Sequence, residues 1–427
     1  MALIWKKPNH TTSPSPAPSE RRWTLVEWVQ CVLVVLLLTG NFTNAVNWGF
    51  EHGGFPIKPR DFNLVLGIPA LALLLFSRPS FCLPSLALLS IPLVRLLDAA
   101  FLQRFSHVAL GDHSIYVMAL AGLFLLTTAA IFSLNGSKGA RIAIWVAGVS
   151  IVLNSAMNLY EYLGFASYTR IVGRMSGFHI DPNHSPIIIC LMLGILFTLN
   201  KRYWWNLLLV FVGAAGIALT MSRSGMAVFA FMTSIYVLLH FKEHKASMIT
   251  FGVIGIPLLA IGIGIMGTTS TRQGLARNED TSSRMEAIYN LDFDKIKSPE
   301  RAKDLADGWE AVTLKPVAGY GTGAGTSQWQ PHNQFVTQWI DLGLLGLIQY
   351  LGALLTVTIA CMWKRFRGGF CLMPIWLFIP CSQVLLETTA YWYCFAVAAL
   401  VVFPKRYSLT FRQPAPVAVP QQSGAHA

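Results

Sequence analysis

The feature that most constrains this chain is a series of apolar runs, nearly free of charge and close to the length that crosses a bilayer. They fall at about 23–39, 62–76, 81–97, 114–134, 141–159, 185–199, 203–220, 225–240, 246–266, 344–362, 370–386 and 388–403. Lipid offers no hydrogen-bond partners, so such runs must satisfy their backbone groups internally, as helices. The expected fold class is all-α: a polytopic membrane protein with about twelve transmembrane helices and one large outer loop region at about 267–332. Several runs are shorter than ~20 residues, so their helices must extend into the flanks or the bilayer must thin. The first run lacks a small-residue cleavage site and reads as an anchor rather than a signal peptide.

The loops set an orientation. With both termini cytoplasmic, the inner segments carry Lys6, Lys7, Arg21, Arg22, Arg78, Lys138, Arg141, Lys201, Arg202, Lys242, Lys245, Lys364, Arg365, Arg367, Lys405, Arg406 and Arg412, as the positive-inside rule requires, with Lys58, Arg60 and Arg104 as outer exceptions. The formal net charge of +12 is thus distributed over loops instead of forming one soluble basic face, and no nucleic-acid partner is expected. Residues 1–22 read as a cytoplasmic N-terminal segment, 23–412 as one transmembrane domain, and 413–427 as a disordered cytoplasmic tail. All seven cysteines lie in or beside apolar runs, without metal-ligand spacing, so neither a disulfide framework nor a metal site is expected.

This topology puts four polar features on the outer face: 169–183 with Arg170, Arg174 and GFHIDPN; the hairpin 221–225, MSRSG; the long loop with Arg284 and Arg301; and His332 with Asn333. Each also has a plainer reading. Arg223 at bilayer depth would cost ~2.5 to 3.5 kcal/mol on insertion scales, so it lies at the interface or in a polar cavity. A snorkelling arginine would satisfy that, but a basic hairpin on the outer side runs against the positive-inside bias and points to an anionic ligand. His332 reads alone as a helix-start histidine beside an Asn333 N-cap. Arg284 and Arg301 could simply solvate a loop, with Ser298, Pro299 and Glu300 opening a helix, and Arg95 with Asp98 reads as a structural pair. The glycines of GYGTGAG lack the Walker A pattern and a preceding strand, so no nucleotide loop and no cofactor are expected.

Taken together these residues resemble the O-antigen ligase and O-antigen polymerase superfamily of bacterial inner-membrane glycosyltransferases. The resemblance is carried by SRSG at 222–225, by Arg301 ahead of a Pro-x-x-Gly-x-Gly turn (Pro316, Gly319, Gly321), by His332 and Asn333 before GLLG at 343–346, and by GRMSGFHIDPN at 173–183. It implies a periplasmic active site that moves a glycan from a polyprenyl diphosphate carrier to a hydroxyl of the lipid A core oligosaccharide, without a bound metal. The polymerase branch would instead extend another carrier-linked unit. The expected roles are His332 as catalytic base, Arg223 and Arg301 on the diphosphate with Arg174 and Arg284 as second choices, and Asn333 and Ser222 in support. A reading from another class is a transporter or flippase, which calls for internal repeats and ionisable residues near mid-membrane. No clear repeat is visible, and the charges concentrate outside the runs.

Overall fold

A computed structural model describes residues 25–76, 83–99, 136–165, 168–169, 174–179, 181–246, 248–249, 252–253, 299–364, 366–382 and 391. Its elements are α1 (Leu25–Thr43), α2 (Ala45–His52), α3 (Pro59–Phe76), α4 (Leu83–Leu97), α5 (Gly136–Tyr162), α6 (His184–Leu199), α7 (Tyr203–Leu219) and α8 (Arg223–His240). There follow α9 (Pro299–Leu314), a single π-helical turn (Gly325–Trp329), α10 (Gln334–Lys364) and α11 (Phe366–Ser382). No strand occurs among the described residues. Nine of the apolar runs coincide with helices, while 114–134 and most of 246–266 and 388–403 lie outside the described residues, as does Arg284.

Among the described residues three helical stretches are long and apolar enough to cross a membrane: Ala140–Tyr162, Arg223–His240 and Gln334–Trp363. A fourth arises if Cys31–Thr43 and Ala45–His52, bent by 67°, form one broken span. The bend falls at Asn44, which takes a left-handed conformation (φ 56°) and whose Nδ2 donates to the Phe178 carbonyl at 3.1 Å. Four further apolar helices are shorter than 18 residues.

α6 is the axis of the packing. An isoleucine- and leucine-rich sequence with no polar face has no side to offer to water, and fifteen of its sixteen residues are buried. α5, α7, α8 and α11 surround it. Asn158 of α5 ties three of these helices together, donating from Nδ2 to Ser185 Oγ at 2.9 Å and to the Gly216 carbonyl at 3.0 Å. A side-chain amide in an apolar bundle is worth keeping only where its partners are fixed, and here they are.

α10 departs from the expected run at 344–362. It begins ten residues earlier and is interrupted at Gly343, whose backbone (φ 71°, ψ −168°) is not helical. The break frees carbonyls that a continuous helix would use. The glycine turn takes them: Tyr320 N donates to the Ile340 carbonyl at 2.7 Å and Gly321 N to that of Asp341 at 2.8 Å. In return Leu344 N donates to the Pro316 carbonyl at 2.9 Å. A Cβ on Gly343 would collide with the Val317 carbonyl, and one on Gly319 would meet Asp341 O at 2.6 Å. The Pro-x-x-Gly-x-Gly turn and the first glycine of GLLG are therefore two halves of one joint.

Candidate active site

The C-terminal ends of α1, α4, α5 and α7 and the N-terminal ends of α6, α8 and α10 gather at one end of the bundle, linked by the hydrogen bonds described below. The loop 174–179, continued by 181–183, is the first component. It is shaped by Glu161, at the end of α5, which was not singled out in the sequence. Its Oε1 accepts from Tyr168 N (2.9 Å) and Thr169 N (3.0 Å), and its Oε2 from Ser176 N (2.7 Å) and Gly177 N (2.9 Å). One buried carboxylate thereby satisfies four backbone donors, and each is a charge-assisted bond. Within the loop, burial pushes the His179 imidazole down to about 3, with His184 adding to the effect, so this histidine is neutral.

Arg174 belongs to the same loop but is turned inward. Only 2 % of it is exposed, Nε donates to the Thr220 carbonyl at 3.0 Å and Nη2 to Asn183 Oδ1 at 2.8 Å. Ser222 Oγ donates to that same Asn183 oxygen at 3.2 Å and accepts from Gly225 N at 3.4 Å as the N-cap of α8. Gly225 lies so close to Pro186 of α6 that a Cβ would clash. The GRMSGFHIDPN and SRSG motifs are thus fastened to each other, and Arg223, half-buried, is the first helical residue beyond the cap.

His332 stands across from them. After the π-helical turn, Gln330 (φ 45°) and His332 (φ 50°) both adopt left-handed backbone, an uncommon conformation for residues with a Cβ. Asn333 then starts α10, its Oδ1 accepting from Phe335 N at 3.0 Å and Val336 N at 3.2 Å, so it is a helix cap. His332 Nε2 lies 3.7 Å from Asp304 Oδ2 of α9. That is an ion-pair distance, longer than a hydrogen bond. Partial burial lowers the affinity of the imidazole for a proton and the charge of Arg301 lowers it further, while Asp304 and Asp181 oppose them; the net shift is downward. Arg301 and Asp304, three residues apart on α9, and Asp181 of the first loop therefore all act on one histidine. Asp304 and Asp181 were missed in the sequence, although the i, i+3 spacing from Arg301 puts Asp304 on the same helix face.

Behind this lies a buried polar frame. Arg95 Nη2 reaches Asp341 Oδ2 at 2.7 Å and Nη1 donates to Gln338 Oε1 at 2.7 Å. Asp341 Oδ1 accepts from Gly325 N at 2.7 Å. Asp98 Oδ2 accepts from both Thr322 N (2.7 Å) and Thr322 Oγ1 (2.9 Å). Arg95 and Asp98 thus hold α4 to the glycine loop and to α10, which fixes the segment ahead of His332. Among the described residues no group of three or more His, Cys, Asp and Glu gathers as a metal site would require.

What the arrangement offers is a half-buried imidazole beside cationic and acidic side chains, on a rigid base at one end of an apolar bundle. No curated protein matches the chain. Residues 207–351 match a family model described as O-Antigen ligase, a stretch that takes in Ser222, Arg223, Arg301, His332 and Asn333. That stretch, set in a chain of apolar helices, is similar to the O-antigen ligase family.

Proposed function

We propose that the protein transfers an O-antigen-like glycan from a polyprenyl diphosphate carrier to a hydroxyl of the lipid A core oligosaccharide, at the periplasmic face of a bacterial inner membrane and with both termini cytoplasmic. The observation that carries the reading is the setting of His332, an imidazole whose proton affinity is lowered by burial and by Arg301. A base must be neutral before it can act, and such a site keeps it so. In the reaction the acceptor oxygen bonds to the anomeric carbon as the bond to the diphosphate oxygen breaks. The acceptor proton passes to His332, and the charge left on the diphosphate is met by Arg223 and Arg301. General-base assistance contributes ~10² to 10⁴ in rate, and a preorganised donor to a developing anion about 10² to 10³. Guanidinium groups bind phosphate through a planar fork and stay charged, so the proposed chemistry proceeds without a metal.

Arg174 takes a different role from the one its sequence position invites. Its inward hydrogen bonds support a positioning function, holding the loop 174–183 against the SRSG hairpin. Arg284 is kept as a further diphosphate ligand on the resemblance alone.

The test uses purified protein with a lipid-linked donor and a core acceptor, and no ion gradient. Wild type is expected to transfer glycan, His332→Ala to lose transfer at normal membrane insertion, and Arg223→Lys to recover only part of what Arg223→Ala loses. Full activity of well-inserted His332→Ala would remove the base assignment. In a deletion strain, a core without O-chain and an accumulated carrier-linked polymer would support the ligase. A core capped by one repeat would favour the polymerase.

A further inference from the structure

At the opposite end of the bundle, between the start of α5 and the turn joining α6 to α7, lies a cleft of about 220 Å³ lined by Arg141, Ile144, Trp145, Asn200, Arg202 and Trp205. Among the described residues no carboxylate lines it. The turn is fixed by Asn200, whose Oδ1 accepts from Arg202 N at 3.1 Å and whose Nδ2 donates to Asn206 Oδ1 at 2.7 Å. Arg202 is therefore presented from an ordered turn, directly ahead of the first residue of α7. The rings of Trp145 and Trp205 lie with centroids 6.3 Å apart and planes tilted by 58°, yet remain 64 % and 40 % exposed, and Trp204 beside them is 60 % exposed. Tryptophans left open on an apolar bundle belong at the depth of lipid headgroups.

From this geometry we infer that the cleft binds the headgroup of an anionic phospholipid. Two arginines line a space whose remaining walls, Asn200 apart, are apolar and aromatic. Their planar forks suit a phosphodiester, while Ile144 and the indole faces suit the first carbons of the acyl chains. The free N–H groups at the start of α7 add partial positive charge on the same side. Neither arginine takes part in the proposed transfer chemistry, so the site is independent of that reading.

The experiment is native mass spectrometry of the full-length detergent-purified protein, equilibrated with equal amounts of phosphatidylglycerol and phosphatidylcholine. Wild type is expected to retain phosphatidylglycerol over phosphatidylcholine by about thirtyfold, from two basic contacts near the headgroup. Arg141→Gln with Arg202→Gln should bring the ratio close to one, each single variant should reduce it in part, and Lys242→Ala with Lys245→Ala should leave it unchanged. The single variants, at exposed positions, carry the test if the double variant does not fold. Equal retention in wild type and the Arg141 and Arg202 variants would overturn the proposal, as would an equal loss in the Lys242 and Lys245 control. Displacement of the lipid by millimolar inorganic phosphate would reassign the cleft to the free anion and overturn it as a lipid site.

Discussion

His332 is held between opposing charges, and the balance makes its pH behaviour testable. Burial and Arg301 lower its pKa while Asp304 and Asp181 raise it. As the proposed base, it works only when neutral, so the rate of wild type should fall on the acid side at a pH below the ordinary histidine value of about 6.5. Replacing Arg301 with Gln removes a lowering influence, and the acid limb of the pH profile should move up. Asp304→Asn removes a raising one, and the limb should move down. A pH profile indifferent to both substitutions would detach His332 from the chemistry. Glu161 offers a second test at this scale. Glu161→Gln puts an amide N–H where one carboxylate oxygen accepted two backbone donors, at a cost of about 1–3 kcal/mol for the groups left unsatisfied. Transfer should drop while insertion persists, and the loop 174–179 should become more open to proteolysis.

At the scale of elements, the joint between the glycine turn and the break in α10 decides where the histidine sits. Gly343 combines a left-handed φ of 71° with a Val317 carbonyl that occupies the place of a Cβ. Gly343→Ala should therefore destabilise by roughly 3 kcal/mol, the sum of backbone strain and a forced shift of packed neighbours. Thermal unfolding in detergent would register the loss, and the same change at Gly352, where a Cβ meets nothing within 4 Å, provides the control. The run 344–362 was apparent from hydropathy, while the earlier start of α10 at Gln334 was legible only through Asn333 as an N-cap. Its first turns contain Gln334, Thr337, Gln338 and Asp341, all buried, and a hydropathy pattern reads buried polar residues as loop.

For the whole molecule, the bundle is fastened at the candidate active site by ion pairing out of water. Arg95 and Asp341 come from α4 and α10, almost 250 residues apart in sequence, and both side chains are nearly or fully buried. Removing one partner leaves the other charge uncompensated, so Asp341→Ala should cost about 3–5 kcal/mol. Arg95→Met with Asp341→Leu should recover much of that, and a double-mutant cycle on thermal stability measures the coupling. The two ends can also be told apart chemically. Lys303, on α9 near His332, and Lys242, beyond the far end of α8, are both exposed. In cells with a permeabilised outer membrane, Lys303→Cys is expected to react with an impermeant maleimide and Lys242→Cys only after lysis. The reverse pattern would overturn the orientation.

Much of this was legible in the linear chain. Apolar runs force helices because lipid supplies no hydrogen bonds, and SRSG, His332 and the glycine turn stand out as polar interruptions that burial alone would not select. Other features depend on distance in space. Arg174 and Arg223 look alike in sequence, yet the Arg174 guanidinium bonds to Thr220 and Asn183 within the fold, while Arg223 is a half-buried residue at the start of a helix. Arg95 and Asp98 invite an i, i+3 pairing, but their recorded partners include Gln338, Asp341 and Thr322, which chain closure brings near. A residue's type sets what it can bond to; only packing sets which partner is within 3 Å, and that determines whether a charge supports the fold or faces a substrate.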